Sequence, residues 1–327
     1  MVEEIMGTLL PYKGTNHVDI FCHKKVEKYG NTGNIYFNPL YFYYIVKTNN
    51  QLFISKKSMA KTEKNQLLQE ILKAELRVFN IEELKDLSFI VSNNIKPSSL
   101  NKMLRGLVRD EWLLAIKKGV YALGTVVSGS PLNEYEIAMR LVQPAMISHY
   151  SAFRHHGLTD PLPRDLFITT LKETSTPQQG VTGKKASFNF HGIVYQFIQI
   201  KKELFFGEEK AWLGTGHFMV TDLERTLLDG LARPQFCGGL SEVLHAYQEH
   251  IVEIQLTKII GYALKLGVAV SRRLGWVLDH LAVRSDQMNS LLQREHLGYR
   301  KLDPSRPPIG SYDPKWRLQL NNEKKMF

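Results

Sequence analysis

The chain has 327 residues, with 42 Lys and Arg against 32 Asp and Glu, a formal net charge of +10. Its 43 % hydrophobic and 23 % charged residues exclude general disorder, and roughly 150 residues per domain predicts two domains. No apolar run approaches the 18 or so residues of a membrane span, two cysteines (Cys22 and Cys237) are too few for a disulfide framework or a four-ligand zinc site, and the N-terminus has no signal-peptide pattern. A cytoplasmic protein is the expectation, with no membrane partner, and its positive balance makes nucleic acid the first partner to test.

Residues 1–58 differ in composition from the rest. Asn31, Asn34, Asn38, Asn49 and Asn50 mix with Tyr36, Tyr41, Tyr43 and Tyr44, and no helical period is sustained. The segment reads as a divergent extension: loosely folded, upstream sequence read from an earlier start, or a small β-rich appendage. From residue 61 the pattern sharpens. Leu67, Leu68, Ile71, Leu72 and Leu76 recur at helical spacing and predict a helix over 62–77. Asn80 with Glu83 three residues on gives a capping box for a short helix from Ile81 to Leu87. Pro97 suits the first turn of a third helix, Pro97–Trp112, because its missing N–H would be unpaired there anyway. Leu113–Ile116 and Val120–Leu123 then read as two strands around Lys117-Lys118-Gly119.

Residues 124–133 hold Gly, Ser and Pro and predict a linker. Beyond it, Glu134–Val142 and Ser148–His156 read as helices, and Leu166–Thr170, Ser187–His191, Ile193–Ile200 and His217–Val220 as strands. A helix over Thr221–Leu231 opens on a second capping-box pattern, Thr221 with Glu224. From Gly239 to about Arg294 the pattern is helical, with breaks near Gly267 and Ser285. The fold class predicted is α+β: an N-terminal winged helix-turn-helix over 59–124, and a mixed C-terminal domain over 134–327 that is helical from about 239.

Three helices followed by a basic-tipped hairpin describe a winged helix. The third helix would bury Leu100, Leu104, Leu107 and Val108 and turn its polar face to a DNA major groove, which admits a helix. On that face Arg105 and Arg109 can fork onto guanine edges or phosphates, Asn101 can pair with adenine, and Lys102 joins them. Ser98 and Ser99 stand at the helix N-terminus, where unpaired N–H groups favour a phosphate. Lys117 and Lys118 at the wing tip are placed for the adjacent backbone. Farther on, Lys258, Lys265, Arg272 and Arg273 lie in a stretch richer in basic than acidic residues and could extend a phosphate footprint.

These segments resemble a known family. Leu107-Val108-Arg109-Asp110-Glu111-Trp112-Leu113 followed by Lys118-Gly119-Val120-Tyr121-Ala122-Leu123 looks like the winged-helix end of AbiEi-type antitoxins, from bacterial type IV abortive-infection toxin–antitoxin systems. Ile147–Ala152, His156–Asp160, Val220–Asp229 with Pro234 and Cys237–Leu240, and the tail residues Leu302–Pro304, Gly310–Tyr312 and Trp316–Leu318 are similar in the same order. The resemblance covers about 61–320. It implies a repressor that binds inverted repeats of its own promoter, and an antitoxin that counteracts a nucleotidyltransferase toxin without a stable complex.

Against an enzyme, the chain has no Gly-rich phosphate loop and no Ser/His/Asp signature. His155 and His156 are adjacent, so on a helix they would point about 100° apart and would not easily share an ion. Asp222 and Glu224 fit helix N-terminal positions, and Arg225 with Asp229 fits an intrahelical pair. No catalytic residue, metal or cofactor is expected; a nuclease or nucleotidyltransferase-like enzyme carried to DNA by the winged helix is the alternative. A chain shortened to begin at Met59 should melt as cooperatively as the full chain and bind DNA equally well. Loss of cooperative melting would make residues 1–58 structural.

Overall fold

The computed structural model describes residues 20–23, 26–27, 36–37, 41–48 and 51–58, then 63–321 apart from 94, 129–131, 161–164, 178–186, 214–215 and 293–297. It divides into two compact units, 1–115 and 116–327. The architecture is α+β.

The first unit opens with strands β1 (Ile20–His23), β2 (Val26–Glu27), β3 (Tyr36–Phe37), β4 (Tyr41–Thr48) and β5 (Gln51–Ser58). β1, β4 and β5 form an antiparallel sheet, and β2 pairs with β3. Helix α1 (Glu63–Lys73) buries Leu67, Leu68 and Ile71. After β6 (Val78–Asn80) the capping box forms as expected: the Asn80 side chain accepts from the Glu82 and Glu83 amides, and the Glu83 carboxylate accepts from the Asn80 N–H. Helix α2 (Ile81–Val91) runs past Leu87, where its sequence pattern fades. Pro97 opens α3 (Pro97–Arg109), which ends before Trp112 because Glu111 takes a left-handed φ of 58°. The strand β7 (Leu113–Lys117) begins directly afterwards. With β8 (Val120–Leu123), it belongs to a three-stranded sheet of order β6-β8-β7.

The second unit contains helix α4 (Thr125–Ser128) inside the expected linker, then α5 (Glu134–Leu141), β9 (Met146–Ile147) and α6 (His149–His155). Five strands follow: β10 (Asp165–Leu171), β11 (Ser187–Phe190), β12 (Ile193–Ile200), β13 (Glu208–Leu213) and β14 (Gly216–Thr221). They join β9 in a mixed six-stranded sheet of order β11-β12-β10-β9-β14-β13. β9 and β13 escape a reading by alternation: β9 is two residues long, and the charged start of β13 lies on the edge of the sheet.

Helices α7 (Leu223–Ala232), α8 (Leu240–His250), α9 (Leu256–Leu266) and α10 (Val268–His280) pack a core of Leu227, Leu228, Val243, Tyr247, Ile259, Leu274 and Val277. The break at Gly267 is present, with φ 110°, and a further one at 251–255 separates α8 from α9. After α11 (Asn289–Leu292), the strands β15 (Arg300–Lys301), β16 (Ser311–Asp313) and β17 (Leu318–Leu320) form a small sheet.

Trp316 fastens this tail to α10. Its ring lies over Gly275, and its indole N–H donates to Asp279 Oδ2 at 2.7 Å. A Cβ on Gly275 would stand 2.0 Å from the Trp316 ring, whereas one on Gly261 of α9 would meet nothing within 4 Å. Gly275→Ala should therefore cost about 1–3 kcal/mol through overpacking. Gly261→Ala should be neutral or stabilising by up to about 1 kcal/mol, since alanine is the better helix former. Urea midpoints of the two variants check this contrast.

Candidate nucleic-acid interface

Helix α3 is the most sharply two-sided helix of the first unit. Leu100, Leu104 and Leu107 are 0–3 % exposed, while Ser98, Ser99, Asn101, Lys102, Arg105 and Arg109 all face water. Positions 98, 101, 102, 105 and 109 recur at three- and four-residue intervals, so they share one stripe of the helix. Along it, Arg105 Nε donates to the Asn101 carbonyl at 3.3 Å, and Arg109 Nε to Asp110 Oδ1 at 3.2 Å. Asp110 also pairs with Lys64 of α1, whose ammonium lies 5.1 Å from the centre of the Trp112 ring. The hydrogen bond from Lys64, with a further contribution from Arg109, outweighs desolvation and holds the Asp110 carboxyl below its ordinary range. Lys64 thus braces the C-terminal end of α3 against α1, a role that needed the tertiary pairing of residues 46 positions apart.

At the other end, Lys96 is the N-cap without a side-chain cap, and the Ser99 amide donates to the Lys96 carbonyl at 2.9 Å. Ser98 and Ser99 are both exposed at this helix start.

In the second unit the two wing lysines part ways. Gly119 turns the chain with φ 80°, and Lys118 is exposed beside it. Lys117 is half-buried and donates from Nζ to the Leu141 carbonyl at 2.7 Å, and burial lowers its pKa. Lys117 is the last residue of β7 and turns its ammonium to the Leu141 carbonyl, whereas Lys118 stands in the turn.

The more distant basic residues are corrected more sharply. Arg272 and Arg273 are 5 % and 6 % exposed and cannot meet a DNA backbone. Arg272 donates to the Gly298 carbonyl at 2.9 Å, and Arg273 to the carbonyls of Lys301 and Leu231, both at 3.0 Å. These hydrogen bonds tie α10 to the tail and to the end of α7. Burial brings the Arg273 pKa down to about 10, which leaves it charged near neutrality. Lys258 is committed to Glu224 at 2.7 Å and Asp222 at 3.3 Å. Lys265 is exposed, its ammonium 5.1 Å from the Phe206 ring centre.

The capping box expected at Thr221 is also replaced. Asp222 is the N-cap of α7, accepting from the Arg225 amide at 2.8 Å, while the Thr221 hydroxyl bonds that of Thr226 at 2.7 Å. Glu224 turns away from the cap and accepts from the Gln255 amide at 2.9 Å, so it locks α7 to the start of α9. Arg225 and Asp229 do pair, at 2.9 Å, but as a buried pair and not a surface one. His149 is fully enclosed, and burial lowers its pKa to about 4, so it is neutral near pH 7. Burial pushes the Cys237 thiol well up, away from the thiolate that a nucleophile requires.

One juxtaposition was not expected. α6 ends at His155, so His156 lies past the helix, and the two imidazole centres are 5.1 Å apart. Glu209 of β13 joins them, bringing one ligand-type atom from each residue within 4.8 Å of the others. Adjacent positions on the chain therefore do not prevent the two imidazoles from each bringing a nitrogen toward Glu209. Glu209 could not have been added without β13.

No family model matches the chain, and no curated protein matches it. Among solved structures it is similar to the RV2827C protein from Mycobacterium tuberculosis, at 14 % identity over 78 % of this chain and 90 % of that one, with a TM-score of 0.49.

Glu224 supplies a pH signature. Burial pushes its pKa up, but hydrogen bonds from Lys258 and the Gln255 amide outweigh this and leave it below the ordinary glutamate range. A depressed carboxylate stabilises the fold above its unfolded pKa, and this contribution disappears as pH falls through the folded value. Glu224→Gln should therefore lower stability near neutrality and flatten its decline below the ordinary glutamate pKa. Urea melts at stepped pH values read both effects.

Proposed function

We propose that this protein is a DNA-binding repressor that also serves as the antitoxin of a bacterial type IV toxin–antitoxin system, acting in the cytoplasm. In this reading α1, α2 and α3 with the β6-β8-β7 sheet are a winged helix, and α3 lies in the major groove of double-stranded operator DNA. The observation that carries it is the two-sidedness of α3: three buried leucines on one side, and a water-facing stripe of Ser98, Asn101, Lys102, Arg105 and Arg109 on the other. Arg105 and Asn101 suit base edges, whereas Lys102 and Lys118 suit phosphates as mobile point charges. Arg109 shares its charge with Asp110 and would position more than it reads. The contact set now omits Lys117, Arg272 and Arg273, and retains Lys258 and Lys265 only as outlying cations.

The antitoxin half rests on the resemblance of residues 61–320 to AbiEi-type antitoxins, and it requires a neighbouring reading frame that encodes a nucleotidyltransferase. Co-expression with that protein should restore growth. The DNA half is tested by gel retardation on the chain's own upstream DNA, with and without Mg²⁺. Clean retardation is expected, with a loss of about 1–3 kcal/mol for Arg105→Ala. Lys102→Ala with Lys118→Ala should weaken all sequences alike and reduce the salt slope by about two. Mg²⁺-dependent cleavage would replace the repressor reading with a DNA-directed enzyme, and wild-type affinity in Arg105→Ala would move the interface elsewhere.

A further inference from the structure

We propose that His155, His156 and Glu209 form a binding site for a divalent first-row transition ion, of which Zn²⁺ is the representative. The proposal does not rest on the DNA-binding reading, since none of the three residues is among those proposed to contact DNA.

The backbone accounts for the meeting of the three side chains. β13 and β14 pair antiparallel with Glu209 opposite Val220 and Ala211 opposite Phe218, so Glu209, Val220 and Phe218 share one face of the sheet. α6 ends against that same face. The His155 ring stands edge-on to Phe218 at 5.4 Å, and His156 Nε2 lies 2.7 Å from the Thr221 carbonyl, one residue beyond Val220. A carbonyl oxygen can only accept, so Nε2 must carry the proton in that hydrogen bond. In neutral His156 the remaining lone pair is therefore on Nδ1. A carbonyl holding the far nitrogen of a ligating imidazole is the arrangement that orients histidine ligands in metal proteins.

The donor set also selects the ion. Two imidazoles and one carboxylate suit Zn²⁺, Co²⁺ or Ni²⁺, whereas Mg²⁺ and Ca²⁺ favour all-oxygen shells. Bonds of about 2.1 Å place tetrahedral ligand atoms about 3.4 Å apart, so atoms within 4.8 Å of one another need to close by at most about 1.4 Å. His155 and Glu209 are exposed and can rotate to close this gap, while the half-buried His156 supplies the fixed point. Three protein ligands at an exposed position leave the remaining coordination sites to water or to an oxygen of a bound molecule.

The experiment is calorimetric titration of ZnCl₂ into tag-free, chelator-stripped full-length protein, repeated with Co²⁺ while its visible absorption is recorded. One equivalent should bind saturably, with d–d bands for Co²⁺, and MgCl₂ should give no such isotherm. His155→Ala and Glu209→Gln alter exposed side chains and keep the His156–Thr221 anchor, so their thermal melts should match wild type while Zn²⁺ affinity falls about tenfold or more. His191→Ala, outside the cluster, should bind as wild type does. Absence of a saturable Zn²⁺ isotherm, or wild-type affinity in both folded variants, would overturn the proposal.

Discussion

A guanidinium taken out of water organises the second unit. Arg225 is 2 % exposed and donates to Asp229 of its own helix, and to the carbonyls of Leu204 and Phe206 at 2.8 and 2.7 Å. A buried charge is tolerated only when paired and hydrogen-bonded, and losing one partner of such a pair costs about 3–5 kcal/mol. The link between β12 and β13 must therefore lie against α7. Gly207 permits this closeness, since a Cβ there would stand 2.9 Å from the Arg225 Cβ, and its carbonyl accepts the Asp222 amide at 2.8 Å. Once α7 is held in this way, Leu227, Leu228 and Leu231 face the core shared with α8, α9 and α10.

The same economy governs the other interior charges. Arg272 and Arg273 hold the tail by its carbonyls, and Lys258 closes over Asp222 and Glu224. A surplus of positive charge along a stretch of sequence therefore gives little indication of surface potential. Guanidiniums are consumed wherever loops present unpaired carbonyls to a helix. On α3, by contrast, Lys102, Arg105 and Arg109 remain exposed, with Arg105 bonded to the Asn101 carbonyl of its own helix, as the proposed DNA interface requires. The proposed metal site follows a third pattern, with an edge strand and a helix end meeting at a shared strand register.

The periodic parts of the fold were legible in the residues. The leucine spacing of α1 and α3, the Asn80–Glu83 capping box, β12 and the break at Gly267 each rest on rules that act within about one or two turns of chain. So does the division of α3 into a leucine face and a polar face, which is where the candidate DNA residues were read. β9, β13 and α4 were not legible, because two of them are very short and the third is an edge strand whose identity depends on its neighbour.

Sequence by itself determined which residues could be cations, caps and ligands, and which helices are two-sided, because side-chain chemistry and helical period are local properties. Only the tertiary structure decided how those groups are used. Lys117 was drawn inward by a carbonyl 24 residues away, Arg273 by one 42 residues away, and Glu224 was turned from a cap into a clasp on Gln255. It also placed Glu209 beside two histidines more than 50 positions earlier in the chain. The physical reason is common to the first three: a buried or half-buried polar group must find a partner, and the nearest one in space is set by sheet order and helix packing, over separations that no local rule spans.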